Sequence, residues 1–339
     1  MPWLRQLDET TLRKPSPPPI PLIDHKDLAL LGVLPILGLL AWIAPEAAWP
    51  ALADGVARLR SRWLYRQTAQ EVATIHAVAD ASALGVSADR CWRQHLANHY
   101  LAWLQLLRCH RPGSWSPRVA LVGREHLDAA LAAGRGGILW VAPFVFSDLI
   151  TKLACHRAGY RVSHLSRDTH GYSDTRFGRR LLNPIKTLVE RRYLAERLVL
   201  SADNPIRPLR DLARRLTENR LVSITAAATG QRTRTMPFLE GAIQLATGAP
   251  GLAVQTRAPL LPVLTLRHPD GGFVTRVEPP LPLPAGLERD AAIAAILARY
   301  VGLLETWVLN HPDQFSLPYI TGTAPKESPD VGKVAPPPA

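Results

Sequence analysis

From Val119 onward the chain alternates short, strongly apolar runs with longer amphipathic stretches, and this rhythm restricts it to a narrow set of folds. Val119-Ala120-Leu121-Val122, Ile138 to Ala142, Tyr160 to Leu165, Leu221 to Thr225, Leu260 to Leu266 and Gly272 to Val277 read as strands. Between them, Glu125 to Ala133, Ser147 to Ala158, Pro208 to Thr217 and Arg289 to Leu309 read as helices. Gly134 and Gly159 stand as C-terminal stops for the first two. The turn His268-Pro269-Asp270-Gly271 joins the last two strands. Strands and helices of these lengths predict a layered α/β domain: a mixed sheet flanked by helices, spanning residues 113–320.

The N-terminal part differs. Residues 1–26 hold Pro15, Pro17, Pro18, Pro19 and Pro21 without an apolar period, which predicts an extended or disordered leader. Residues 27–112 read as a helical region. Its first segment, Leu28 to Pro45, contains no charged residue and is bounded by Asp27 and Glu46. It is short for a bilayer span and carries Pro35 in its middle, so a membrane anchor, an interfacial helix and a core helix all fit. Trp42 and Trp49 suit an interface. Ala88 to Leu107 places Trp92, His95, Leu96, His99, Trp103 and Leu106 at helical spacing. His95 and His99 have the four-residue spacing of metal ligands, yet no zinc-hydrolase glutamate follows and no third ligand is apparent, so helix packing accounts for them better. Residues 321–339 read as a Pro-rich disordered tail.

Charge and cysteines narrow the function classes. A formal net charge of +12 favours polyanionic partners without choosing among them. No helix-turn-helix, zinc finger or RNA-binding signature is present, so nucleic acid is not an expected partner. The basic stretch from Cys155 to Arg220 reads first as solvated helix faces. Cys91, Cys109 and Cys155 form no CxxC pair, which argues against a disulfide framework and suits a reducing compartment. The glycines of Gly134-Arg135-Gly136-Gly137 precede a strand and no Lys-Ser/Thr follows, so they make a turn and not a nucleotide loop. Ser147 lacks the G-x-S-x-G surroundings of a nucleophile elbow.

Four blocks in order carry a resemblance. The first is Gly134 to Asp148, a buried strand, a sharp turn and a helix start. The second is Arg161 to Leu165 leading to Arg167. The third opens with Met236-Pro237-Phe238-Leu239-Glu240-Gly241, continues through Thr247 to Ala253 and closes with Ala258-Pro259 before a core strand. The fourth is His311-Pro312-Asp313-Gln314-Phe315. Over roughly residues 48–318 the chain resembles the bacterial lipid A biosynthesis acyltransferases of the lysophospholipid acyltransferase superfamily. That resemblance implies their fold with a membrane-associated N-terminal segment, at the cytoplasmic face of the inner membrane. It implies acyl transfer from an acyl-coenzyme A or acyl carrier protein thioester to a lipid or other hydrophobic acceptor, with no bound cofactor and no metal. Membrane lipid and acyl carrier protein are the implied partners.

The family motif is a histidine, four residues and an acid. Here the acid is Asp148, but the histidine position is Pro143. In the family the histidine is the general base and the acid orients it. The family's Asp-Gln pair after the strand Leu221 to Thr225 is also absent, replaced by Ala227 and Ala228. Proline cannot exchange a proton, and an exposed aspartate near a pKa of about 4 is a poor base for an alcohol. The expected catalytic set is therefore Asp148 with a substitute base, His170 or His164. Arg167, Arg176, Arg179 and Glu240 are the candidate substrate-binding residues. The alternative is a catalytically silent member that binds acyl groups or a protein partner.

Overall fold

The computed structural model describes residues 20–63, 69–82, 84–113, 115–200, 206–227, 230, 232–316 and 320–321. Four helices come first: α1 (His25–Ile43), α2 (Trp49–Trp63), α3 (Ala69–Ala81) and α4 (Ala88–Arg108). They are followed by β1 (Val119–Val122), α5 (Arg124–Ala132), β2 (Gly137–Val141), α6 (Ser147–Arg157) and β3 (Val162–Arg167). A π turn, Gly178–Leu182, runs into α7 (Asn183–Arg191). Then come β4 (Glu196–Leu200), α8 (Arg207–Thr217), β5 (Leu221–Thr225), β6 (Thr233–Phe238), β7 (Gly241–Ala246) and α9 (Gly248–Thr256). The chain closes with β8 (Leu260–Arg267), β9 (Phe273–Val277), α10 (Arg289–Asn310) and β10 (Ile320–Thr321).

The main sheet is mixed and seven-stranded, in the order β1-β9-β8-β2-β5-β3-β4, and only the β8–β9 pair is antiparallel. β2 is central, between β5 and β8. Every one of its residues is buried, because helices cover both faces; this explains its continuous apolar run. Trp140 stacks on Tyr300 of α10 at 3.8 Å on one side. A smaller sheet, β10-β7-β6, stands apart from the main one.

In open α/β sheets ligands gather beyond the carboxyl ends of the strands, so the turn from β2 to α6 is the place to look. The C-terminal block braces this turn. Val145 N–H donates to the Gln314 carbonyl at 2.8 Å, and Ser316 N–H donates to the Pro143 carbonyl at 2.9 Å. Phe144 packs on Phe315, and the Gln314 amide bonds both backbone groups of Arg267. Pro143 thus contributes a backbone carbonyl to the brace.

Several elements differ from the sequence expectation. β4 and the β6–β7 hairpin are strands that the apolar pattern does not reveal. β4 is an edge strand with charged residues at two of its positions, and the hairpin turn lacks the usual Asn-Gly signal; Leu239 adopts φ +50 there instead. Glu240 therefore lies in a tight hairpin turn. Residues 1–19 and 322–339 of the expected Pro-rich ends lie outside the described residues, as does Ala228. The rest of the expected leader is held in place: the Pro21 and Leu22 carbonyls accept from Arg176 and Phe177 N–H. Asp24 caps α1 in a reciprocal capping box with Asp27.

Gly136, just before β2, has φ +62, and a Cβ there would lie 2.3 Å from the Arg220 carbonyl oxygen. Gly136→Ala is expected to cost about 1–3 kcal/mol from the backbone conformation alone, with the clash adding to it. A urea denaturation midpoint unchanged from wild type would contradict this.

Candidate active site

Asp148 occupies the first turn of α6, where the helix N-terminus favours a carboxylate. Its Oδ2 lies 2.6 Å from Lys186 Nζ of α7. One turn along α6, Lys152 donates to Glu190 Oε2 at 3.0 Å. His170, in the loop after β3, places Nε2 at 3.0 Å from both carboxylate oxygens of Glu190. One polar atom from each of Asp148, His170 and Glu190 falls within a 4.8 Å cluster. Exposure rises outward: Glu190 is 0% exposed and Lys152 5%, whereas His170, Lys186 and Asp148 are 19%, 21% and 36% exposed. The cluster is a buried ion pair opening to solvent through an imidazole and a second ion pair.

These groups set one another's ionisation. Burial pushes the Asp148 carboxyl up, but Lys186, His170 and Lys152 outweigh it and hold it well below the usual carboxylate range. Glu190 behaves alike: burial raises it, and Lys152 and the His170 hydrogen bond bring it down to about 2. Burial lowers Lys186, yet Asp148 and Glu190 raise it above its ordinary value. Both carboxyls titrate lower in the fold than at the roughly 4 of an unfolded chain, so on acidification the unfolded chain takes up protons first. The contribution of these two carboxyls to stability is therefore expected to be complete above about pH 4.5 and to fall progressively toward about pH 2. Denaturation free energies that stay flat from pH 6 to 3 would contradict this.

His170 has a defined tautomer. Both partners of Nε2 are carboxylate oxygens, so Nε2 carries a hydrogen, and in the neutral ring Nδ1 is the nitrogen with the lone pair. Its loop is fixed from below by Asn183, whose Oδ1 accepts from Tyr172 and Ser173 N–H and whose Nδ2 donates to the Ser173 carbonyl. Gly171 leaves room for this amide, since a Cβ there would meet the Asn183 side chain at 2.4 Å. The Tyr172 hydroxyl is buried with no partner among the described residues. Burial pushes it up to about 12, so it is a donor at neutral pH.

His164 and His95 are interior, and His99 is partly buried. His164 is buried, with Nδ1 2.8 Å from Ser223 Oγ, and lines a water-sized cavity of about 10 Å³ with Ser147, Thr151 and Lys152. Burial and then Lys152 push it well below its ordinary value, so it is neutral. His95 and His99 face each other at 3.1 Å between Nε2 atoms, and His95 Nδ1 lies 3.2 Å from the Asp313 carbonyl. Burial lowers them to about 3 and about 4. With the Asp313 carbonyl accepting from His95 Nδ1, His99 Nε2–H must donate to His95. The pair ties α4 to the C-terminal block.

Among the candidate substrate ligands, Arg179 pairs with Asp168 at 2.6 Å. Arg167 ends β3 and accepts from Arg197 through its carbonyl, and Arg176 is exposed on the His170 loop. Glu240 is exposed in the β6–β7 turn, on the hairpin whose Leu239 N–H bonds Glu305 of α10. Lys152, Lys186 and Glu190 are the cluster members that the sequence reading passes over. Their signal is a pair of four-residue spacings, Asp148 to Lys152 and Lys186 to Glu190, each on one helix face. Asp148, His170 and Glu190 could converge on a cation, but each carboxylate already faces an ammonium that the cation would have to displace.

The family profile described as bacterial lipid A biosynthesis acyltransferase matches residues 93–317, from α4 through the C-terminal block and including the whole cluster. No curated protein matches the chain.

Proposed function

Since this chain belongs to the bacterial lipid A biosynthesis acyltransferase family, we propose that it moves a fatty acyl group from a thioester donor to a lipid or other hydrophobic acceptor. Coenzyme A or acyl carrier protein carries the donor acyl group, and the reaction takes place at the cytoplasmic face of the inner membrane. The observation that carries this reading is the His170–Glu190 pair beside Asp148, which supplies an oriented imidazole where the family histidine is replaced by Pro143.

In this reading His170 Nδ1 removes the proton from the acceptor hydroxyl, whose oxygen attacks the thioester carbonyl. Glu190 stabilises the resulting imidazolium, as a buried carboxylate does in other dyads. The Lys186 ammonium and the free N–H groups at the start of α6 favour the developing oxyanion. The tetrahedral species then collapses, breaking the C–S bond, and the thiolate takes the proton back from His170. Asp148 is not the base: held well below the carboxylate range, it binds a proton too weakly. It positions Lys186 instead. The α1 helix, long and apolar enough to cross a membrane by length and composition, supports membrane association.

The test is to incubate the purified full-length chain with acyl-coenzyme A and acyl carrier protein thioesters and a panel of lipid acceptors, reading the acylated product by mass. No transfer across the panel would sink the proposal. One observation favours a silent, acyl-binding member: both carboxylates are fully neutralised by lysines. Thioester binding without turnover would support it.

A further inference from the structure

We infer that α1 lies flat in one leaflet of an anionic phospholipid bilayer as an in-plane docking face. This rests on the membrane-associated reading above and adds the geometry of the association.

α1 has two faces. Asp27, Leu34, Leu37 and Ala41 form a buried stripe, and the last three pack in one core cluster with Leu101, Leu104 and Leu107 of α4. The rest of the circumference is apolar and open: Leu28, Leu31, Leu39 and Trp42 are exposed, with Ile36 62% and Ile43 73% exposed. The open face continues past α1. A groove of about 380 Å³ is lined by Pro35, Gly38, Leu39 and Trp42 of α1 together with Leu107, Ile185 and His110, whose Nε2 lies 2.7 Å from the Ile185 carbonyl oxygen. On the far side Leu188 follows Ile185 by one helical turn and is exposed, as is Leu181. A largely apolar face on this scale marks an interaction surface.

Both ends of α1 are tied to the same body. At the N-terminal end Thr175 Oγ1 donates to Asp27 at 2.6 Å, and the Pro21 and Leu22 carbonyls accept from Arg176 and Phe177 N–H. At the C-terminal end Trp42 Nε1 donates to the Leu107 carbonyl, while Arg108 and Arg111 donate to the Ala41 and Trp42 carbonyls. A helix of 19 residues is about 28 Å long, close to the thickness of the hydrocarbon layer. If it crossed, the Thr175 loop and the end of α4 would stand on opposite sides of the bilayer, with the charged cluster between them. Lying flat, it keeps both attachments and buries only its open face.

Charge selects the occupant. Lys26, Arg176 and Arg180 are exposed at the N-terminal end of the face with Asp174 beside them, Arg111 and Glu46 are exposed at the other end, and no charged residue lies from Leu28 to Pro45 between them. An apolar strip with a cationic excess at its N-terminal end matches an anionic lipid surface. The Thr175 attachment also joins this face to the loop that carries His170.

Two measurements test the proposal. In the first, single cysteines replace Leu22 and Ala47, both exposed and flanking α1, while the natural cysteines are buried. In sealed inverted membrane vesicles a membrane-impermeant maleimide is expected to label both from the same side. Labelling of one only after detergent would overturn the in-plane geometry while leaving membrane association intact. In the second, Ile36→Lys with Leu39→Lys is expected to weaken binding to phosphatidylglycerol vesicles by about tenfold or more with an unchanged circular dichroism spectrum. Unchanged binding would overturn the assignment of this face. Wild-type protein that binds no vesicles would overturn membrane association itself.

Discussion

Glu190→Ala is expected to destabilise the fold by about 3–5 kcal/mol, the cost of stranding a buried charge. Glu190 is fully buried and is the carboxylate partner of both Lys152 and His170. Its removal leaves the Lys152 ammonium, 5% exposed, with only the Asp148 backbone carbonyl as acceptor, and opens space beneath His170. That loss is a large share of the roughly 5–15 kcal/mol that holds a domain together. Urea denaturation followed by circular dichroism reads it directly. The diagnosis has a second arm, because the penalty belongs to the unpaired charge and not to the missing contact. Glu190→Leu combined with Lys152→Met is expected to recover most of the lost stability, since an apolar pair of similar volume replaces a buried ion pair at little cost. A Glu190→Ala variant as stable as wild type would show that the cluster is not a buried ion pair at all.

His170→Gln is expected to reduce the acyl-transfer rate by about 10²–10⁴-fold, the usual contribution of a positioned general base. Glutamine can still donate an amide hydrogen to Glu190, so the buried carboxylate stays partnered and the fold is expected to keep its stability to within about 1 kcal/mol. It cannot take up a proton from the acceptor. The loss is therefore expected in kcat, with KM for the thioester nearly unchanged, because the interaction removed is made only as the proton moves. An equal loss in KM would instead place His170 among the groups that bind substrate.

Much of the scaffold is legible in the sequence, for reasons that also explain what is hidden. β2 reads clearly because it is central and covered on both faces, so all of its residues are apolar. α6 and α10 read clearly because their length and glycine or proline stops leave no alternative. β4 hides because an edge strand tolerates Glu196 and Arg197. β6 and β7 hide because pairing, and not an alternating pattern, holds them together. Within the site, Asp148 is visible from its place after a strand and a turn. The charges around it are not. Lys186 and Glu190 sit on α7 with the spacing of an ordinary exposed ion pair, and only the packing of α7 against α6 and the His170 loop buries Glu190. The histidines show the same limit: the sequence places His170 only slightly ahead of His164 as a substitute base. Burial separates them, leaving His164 bonded to Ser223 and His170 at the opening.

The central claim is that the imidazole of residue 170 does the proton chemistry for which residue 143 is no longer equipped. Chemical rescue measures this most directly: acyl transfer by His170→Ala, with and without added imidazole. A rate far below wild type that rises with imidazole concentration is the predicted result, and a His170→Ala rate equal to wild type without imidazole would contradict it.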